Sequence, residues 1–483
     1  MARLQAMPQT SPAPVPLACP DREPRSPSER RFLLWLFLAT AGALLLVQEG
    51  AITGYDGQTM YEVTKAMVER GDLAVDRQWN ALPGSDGRFY GRHGIGMTLI
   101  GLVPYAGTHA VAGTGDRADA LGEALVSATM PLIAAALVVA TYLLARRLGA
   151  RAGPALLVAV GSVVGTFLLP YTKEFFSEPL AALGIVVAVE RALARRPAAA
   201  GVGAAVAILA RPQSLLFAPL LLLVLLRRQG VRTALAAAGP IGAGVLVTVG
   251  YNLARFDNPL DFGYQDQGFT TPLLEGTAGL LLHPAKSVLL FAPLVLLVPF
   301  ALARLWRTER DALVLIAGNL VITFLITATW FSWIGGWAWG PRLLIPGLVP
   351  AFAAIGPWLS SRRRRQATAT LLAVGFLVSA PALVVSTQAQ QLDTPQPPVG
   401  PGVLRQAELL GPVTAHTVEH LYEADGDGRN YLRYLSVWQA GAARVFQRPG
   451  LLLSLVGTLA LLAAVLWSGR QAVRCFREAA GPA

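Results

Sequence analysis

Long, nearly uncharged apolar runs separated by short arginine clusters set the pattern of this chain. Several runs reach the roughly 17–25 residues that cross a hydrocarbon core as a helix. Spans are predicted over 32–48, 121–145, 154–170, 179–189, 236–253, 287–303, 312–330, 343–359, 367–385 and 451–467. The apolar stretch 199–226 is interrupted by Arg211-Pro212 and flanked on both sides by arginines. Proline breaks a helix and disfavours helical backbone at the residue before it, so a hairpin of two short helices with Arg211 near its tip is expected.

Positive residues stay on the cytoplasmic side. Arg30 and Arg31 therefore place the N-terminus inside, and Arg470, Arg474 and Arg477 do the same for the C-terminal tail. Arg146, Arg147 and Arg151, then Arg191, Arg195 and Arg196, then Arg227, Arg228 and Arg232 mark inner loops, as do Arg304, Arg307, Arg310 and Arg362 to Arg365. The alternation closes with about twelve spans and both ends inside. Three segments fall outside: 49–122, with an apolar piece at 94–111 expected to lie along the interface; 255–285; and 388–449. The expected organisation is a cytoplasmic tail at 1–31, a catalytic membrane domain at 32–387 containing the outer loop 49–122, an outer segment at 388–449, and a last span with its tail at 450–483.

Composition supports this class. Of 483 residues, 54% are hydrophobic and 14% charged, against about a quarter charged in an ordinary soluble chain. The net charge of +11 does not signal nucleic acid, because the arginines sit where topology signals sit. Cys19 and Cys475 have no metal-ligand spacing. The first thirty residues are rich in Pro, Ser and Arg, read as a disordered tail, and lack a signal peptide's apolar core. No internal repeat of the transporter kind is evident. Arginine and alanine usage suggests a bacterial source, hence the cytoplasmic (inner) membrane.

Several charges stand in expensive places. Of the three lysines, Lys173 and Lys286 lie at outer ends of spans, where the inside rule does not explain them. Arg342, in Gly340-Pro341-Arg342, also sits at an outer end, and Arg92 and His93 precede the interfacial piece. Cations converging on one leaflet suit an anionic group such as a phosphate; the alternative is snorkelling to lipid headgroups. Asp56 follows the first span closely. It suits a general base for a hydroxyl acceptor, and equally a cap for the helix expected after it. Glu178 in Phe176-Ser177-Glu178-Pro179 suits a site carboxylate, or a first-turn acid favoured by the helix dipole. Trp330, Trp333, Trp337 and Trp339 read as an interfacial belt or as a sugar-stacking platform. Two signals fail: Glu423-to-Gly428 lacks the closing Glu of a calcium loop, and His416 and His420 lack a zinc protease's Glu.

These stretches together resemble the GT-C superfamily, polytopic glycosyltransferases that use polyprenyl-phosphate sugars, in its phospholipid-carrier-dependent, protein-mannosyltransferase-like branch. The likeness is carried by Asp56 with Gly71-Asp72-Leu73, Asp86-Gly87-Arg88-Phe89-Tyr90 and Gly94-Ile95-Gly96; by Phe176-Ser177-Glu178-Pro179; and by Trp337-Ala338-Trp339-Gly340-Pro341-Arg342 with His283-Pro284-Ala285-Lys286. It implies an all-α polytopic fold with interfacial helices in the first outer loop. It implies Asp56 as catalytic base and Arg92, Lys173, Lys286, Arg342 and Arg211 as lipid-phosphate ligands. Tyr55, Tyr90, His93, Glu178, Trp337 and Trp339 are expected to line the substrate pocket. The implied partners are a polyprenyl-phosphate sugar donor, a glycan, lipid or protein acceptor, and membrane lipids, with no nucleic acid. No cofactor is certain; a divalent cation stays open, although Gly57 stands where many relatives carry a second carboxylate after the Asp. Two other readings of the same cations are a transporter or flippase for an anionic lipid-linked saccharide and a non-catalytic membrane scaffold.

Overall fold

The computed structural model describes residues 27–48, 50–78, 80–264, 267–284, 286–336, 338–383 and 448–480. The chain is a multi-pass membrane protein, and its described residues are helical apart from one small sheet. Five helices among the described residues are long and apolar enough to cross a membrane: 116–147, 231–256, 310–329, 362–383 and 456–479. Four more apolar helices, Ala152–Val164, Pro197–Ala210, Leu273–Leu282 and Arg342–Trp358, are shorter.

The first helix, α1 (Pro27–Leu45), packs on the last, α17 (Arg448–Ala480), through Phe32 against Phe476 and Trp35 against Trp467. The first loop holds α2 (Tyr55–Arg70) and α3 (Gly96–Ala112). Between these helices run β1 (Ala74–Val75), β2 (Ala81–Pro83) and β3 (Phe89–Gly91), an antiparallel sheet of order β1-β3-β2. Next, α4 (Asp116–Ser127) runs almost directly into α5 (Thr129–Arg147), so this helix begins five residues before the expected 121. The core of the bundle is formed by α5, α6 (Ala152–Val164), α7 (Ser177–Leu193) and α8 (Pro197–Ala210), with α10 (Val231–Phe256) packed on α8. Where α7 and α8 cross, a β-carbon on Gly184 would meet the Gly203 carbonyl at 2.6 Å. Small residues let the two backbones approach this closely, as helix pairs in lipid do.

The stretch 199–226 is broken as Arg211-Pro212 requires. A 3₁₀ turn over Pro212–Phe217 separates α8 from α9 (Ala218–Gln229). Arg211 reaches the start of α7, whereas Gln229 donates to the carbonyl of Ala192 near the end of α7. The pair therefore goes out and comes back.

A proline breaks one other predicted span that reads as continuous on hydropathy. The 287–303 stretch is α12 (Val288–Phe291), a 3₁₀ turn from Pro293, and α13 (Val298–Thr308). The 343–359 stretch is α15 (Ile345–Ala353) between two 3₁₀ turns. The segment 255–285, expected as a plain outer loop, contains α11 (Leu273–Leu282), which packs on α14 (Arg310–Thr329). The remaining long helix is α16 (Arg362–Ser379). The tail 1–26, most of the segment 388–449 and the failed calcium and zinc signals lie outside the described residues.

The bundle has two unlike ends. Arginine clusters gather at one, where Arg147 pairs with Glu190, Arg228 with Glu309 and Asp311, and Arg31 with Glu478. The first loop covers the other. There Gln48 donates to the Lys173 carbonyl, Arg255 at the end of α10 donates to the Gly91 carbonyl, and Lys173 donates to the Leu383 carbonyl at the end of α16.

Candidate active site

Asp56 lies in the first turn of α2, but it does not cap the helix: the N-cap is Gly54, with no side-chain cap bond. Its carboxylate serves other groups. Oδ2 is 2.7 Å from Arg342 Nη2, Oδ1 accepts from Asn80 Nδ2 at 2.8 Å, and His93 Nε2 stands 3.6 Å from Oδ1. Burial alone would raise the Asp56 carboxyl. The charges of Arg342, His93 and Arg211, with the Arg342 hydrogen bond, outweigh it and hold the group well below the usual carboxylate range. Asp56 is ionised at any neutral pH.

Arg342 reaches this point from the loop between α14 and α15. Gly335, Gly336 and Gly340 all take positive φ, which glycine adopts without a β-carbon clash. The turn they make lets Arg342 Nε fold back to donate to the Gly335 carbonyl at 2.9 Å. The guanidinium stacks 4.5 Å from the ring centre of Phe176, a cation–π contact that also fixes its plane. On its other side, Nε is 3.7 Å from Glu178 Oε1. Nη1 is buried without a hydrogen-bond partner.

Glu178 is fully buried in the first turn of α7. Its Oε1 accepts from Arg211 Nη1 at 2.6 Å. With its amide oriented to accept, Gln213 brings its oxygen 2.8 Å from both Arg211 Nε and Nη2. Charges thus alternate along one line: Arg211, Glu178, Arg342, Asp56.

Lys286 closes the same turn from below. Its ammonium, 5% exposed at residue level, donates to the carbonyls of Gly336 and Ala338. Burial, and then the Arg342 charge, push it down to about 7. Arg92 lies over the ring of Tyr264 at 5.9 Å, and its Nε has no hydrogen-bond partner. Burial and the charges of Arg92, Arg342 and Arg211 overcome the pull of Asp56 and bring His93 down to about 4. This histidine is neutral at neutral pH.

Asp56, His93, Glu178, Arg211 and Arg342 meet in one place, with Lys286 at the far side of the glycine turn. Tyr55 opens α2 beside Asp56. Three expected residues stand elsewhere. Tyr90 is buried in β3, its hydroxyl donating to Asp86 and its edge on Phe256, so it packs the small sheet. The Lys173 ammonium is bonded to the Leu383 carbonyl at 3.4 Å. Trp339 is buried with its edge on Phe291, its carbonyl accepting from Tyr171 and its Nε1 without a partner. Trp337 lies outside the described residues.

Sequence reading passed over Asn80, Phe176 as a stacking surface, Gln213 and Tyr264. Each is a loop or turn residue of a common type, and only tertiary contact gives it a role. Packing accounts for the absence of a second carboxylate after Asp56. A β-carbon on Gly57 would lie 2.9 Å from the Phe175 carbonyl and 2.9 Å from Ile52, so no second carboxylate fits there. Among the described residues no three His, Cys, Asp or Glu side chains gather as metal ligands. The Asp56 oxygens are taken by Arg342 and Asn80. This donor set does not fit a divalent cation, and no step of the mechanism passes through one.

No family model matches the sequence, and no curated protein matches it. Similarity to solved structures is one of fold. The chain is similar to ArnT from Cupriavidus metallidurans bound to undecaprenyl phosphate, at a TM-score of 0.48 and 16% identity over 92% of this chain and 75% of that one. It is also similar to the oligosaccharyltransferase AglB from Archaeoglobus fulgidus in complex with an inhibitory peptide and a dolichol-phosphate. That match has a TM-score of 0.47 and 12% identity, over 80% of this chain and 60% of that one.

Proposed function

We propose that the chain is a glycosyltransferase that moves a sugar from a polyprenyl-phosphate donor to an acceptor hydroxyl at the extracytoplasmic face. The observation that carries this reading is the contact of an ionised carboxylate, Asp56, with a guanidinium, Arg342, whose Nη1 has no hydrogen-bond partner. A base and an anion ligand are thereby adjacent, at the bundle end opposite the arginine clusters.

In this mechanism Arg342 binds the donor's phosphate, with Lys286 and Arg92 adding positive charge beside it. The acceptor oxygen attacks the anomeric carbon while its proton passes to Asp56. The carbon–oxygen bond to the acceptor forms as the bond to the phosphate oxygen breaks. The electron pair leaves on the polyprenyl monophosphate, whose growing charge the cations stabilise. A single displacement inverts the anomeric centre. No acid is needed, because a phosphate leaves readily. His93, neutral at working pH, is available to orient the acceptor by hydrogen bonding.

Arg342 and Asp56 neutralise each other in the free protein. A phosphate that engages Arg342 weakens its hold on the carboxylate, and the basicity of Asp56 rises toward that of an ordinary carboxylate. The base is therefore strengthened when the donor is in place.

The test is transfer of label from polyprenyl-monophosphate sugars to acceptors by the purified chain in liposomes. Release of polyprenyl monophosphate with sugar on the acceptor supports the enzyme. Movement of intact donor across the bilayer without bond cleavage would establish the transporter instead.

A further inference from the structure

Glu178 has no place in the chemistry above, yet it is fully buried between two arginines. A carboxylate deprived of water is costly unless paired and hydrogen-bonded. Here the pairing is two-sided. Oε1 takes Arg211 at 2.6 Å and faces Arg342 Nε at 3.7 Å. Arg211 is itself fixed by Gln213 at two nitrogens and by Ser177 Oγ at 3.4 Å. The three segments that meet here are the start of α7, the break between α8 and α9, and the glycine turn before α15, so the contact joins distant parts of the bundle.

The arrangement separates the sides of the Arg342 guanidinium. Nε is committed to the Gly335 carbonyl and faces Glu178. Nη1 has no partner, and Nη2 holds Asp56. When a phosphate draws Nη2 from Asp56, one carboxylate still lies behind the side chain. We propose that Glu178, locked by Arg211, is a positioning residue: it keeps Arg342 aimed at the donor's phosphate and makes no contact with the donor. Arg211 then acts through Glu178 and stands behind the phosphate ligand. This inference rests on the glycosyltransferase reading and adds to it how the phosphate ligand is held.

Glu178→Gln retains an acceptor for Arg211 but removes the charge that backs Arg342. Two quantities are measured: the KM for the sugar-bearing donor, and the inhibition constant of polyprenyl monophosphate, which has no sugar. Both rise together by about tenfold, the loss of the buried ion pair that backs Arg342, while kcat changes less. Arg211→Gln gives a similar rise, and the double variant is no worse than either single one, because the two residues act as one unit. If the inhibition constant of the sugar-free lipid is unchanged while the donor KM rises, Glu178 touches the sugar and the positioning role is overturned. Additive effects of the two substitutions overturn it as well. If Glu178→Gln does not fold, Arg211→Lys is read in the same two assays, with the same paired rise expected and an unchanged inhibition constant overturning the role. Failure of the unaltered chain to bind polyprenyl monophosphate overturns the glycosyltransferase reading itself, and the proposal with it; the two failures are therefore distinguishable.

Discussion

Arg342 stands between Asp56 and Glu178, with Nη2 2.7 Å from the first carboxylate and Nε 3.7 Å from the second. The side chain that would hold a lipid phosphate thus restrains the base that the acceptor hydroxyl would need. Most of what can be tested about this protein follows from that sharing.

Arg342→Lys keeps the charge but loses the planar fork that reaches Asp56 and stacks on Phe176. Donor KM is expected to rise by about tenfold or more, as a charge-assisted contact is lost. The Asp56 carboxyl is also expected to rise toward the ordinary range. Steady-state kinetics across donor concentrations check the first effect, and the acid limb of the pH profile checks the second.

Lys286 gives the donor step a basic limb. Its ammonium is pushed down to about 7, so the free protein loses this charge as pH rises through that value. The profile of kcat/KM, which reports the free protein, is expected to fall for the donor as pH rises through about 7. Lys286→Gln removes that limb at the cost of a weaker donor interaction on its acid side.

His93 sets an acid window for stability. Its folded value of about 4 lies below the ordinary 6.5, so the folded chain binds fewer protons than the unfolded one between these values. Stability falls as pH drops across that interval and levels off beneath it. Thermal unfolding of the detergent-purified chain through the window should show the fall, and His93→Gln should flatten it.

Gly57→Asp tests why a second carboxylate is missing. Its β-carbon would lie 2.9 Å from the Phe175 carbonyl and from Ile52. Destabilisation of about 1–3 kcal/mol is expected from overpacking, read as a lower unfolding midpoint, with no gain of metal-dependent turnover.

The charged part of the site was legible because membrane chains make charge scarce. An ionisable group at a span end that the inside rule leaves unexplained is conspicuous, which singled out Lys286 and Arg342 but also Lys173, whose ammonium is bonded to the Leu383 carbonyl. Asp56 and Glu178 stood out as acids beside predicted spans, and Arg211 at the proline break. Tyr90 misled for a related reason: it belongs to a motif rich in turn residues, but its side chain completes the core of a small sheet against Phe256. Asn80, Phe176, Gln213 and Tyr264 carry no periodic or charge signal. Their roles come from contacts across the fold, such as the Arg342 stack on Phe176. The helical membrane architecture and the break at Arg211-Pro212 were readable from apolar runs and proline chemistry. The break at Pro293 was not, since hydropathy reports composition and is blind to a missing backbone donor. Nor did it reveal α11, whose 10 residues are too short to register as a span.

The most direct measurement is turnover and donor binding by Asp56→Asn, compared with the unaltered chain under single-turnover conditions. Asparagine removes the Asp56 ion pair from Arg342 and leaves Glu178 behind it, so donor binding should hold or tighten. Transfer should fall by at least about 100-fold, the lower range for losing a general base. Transfer at the unaltered rate would contradict the account.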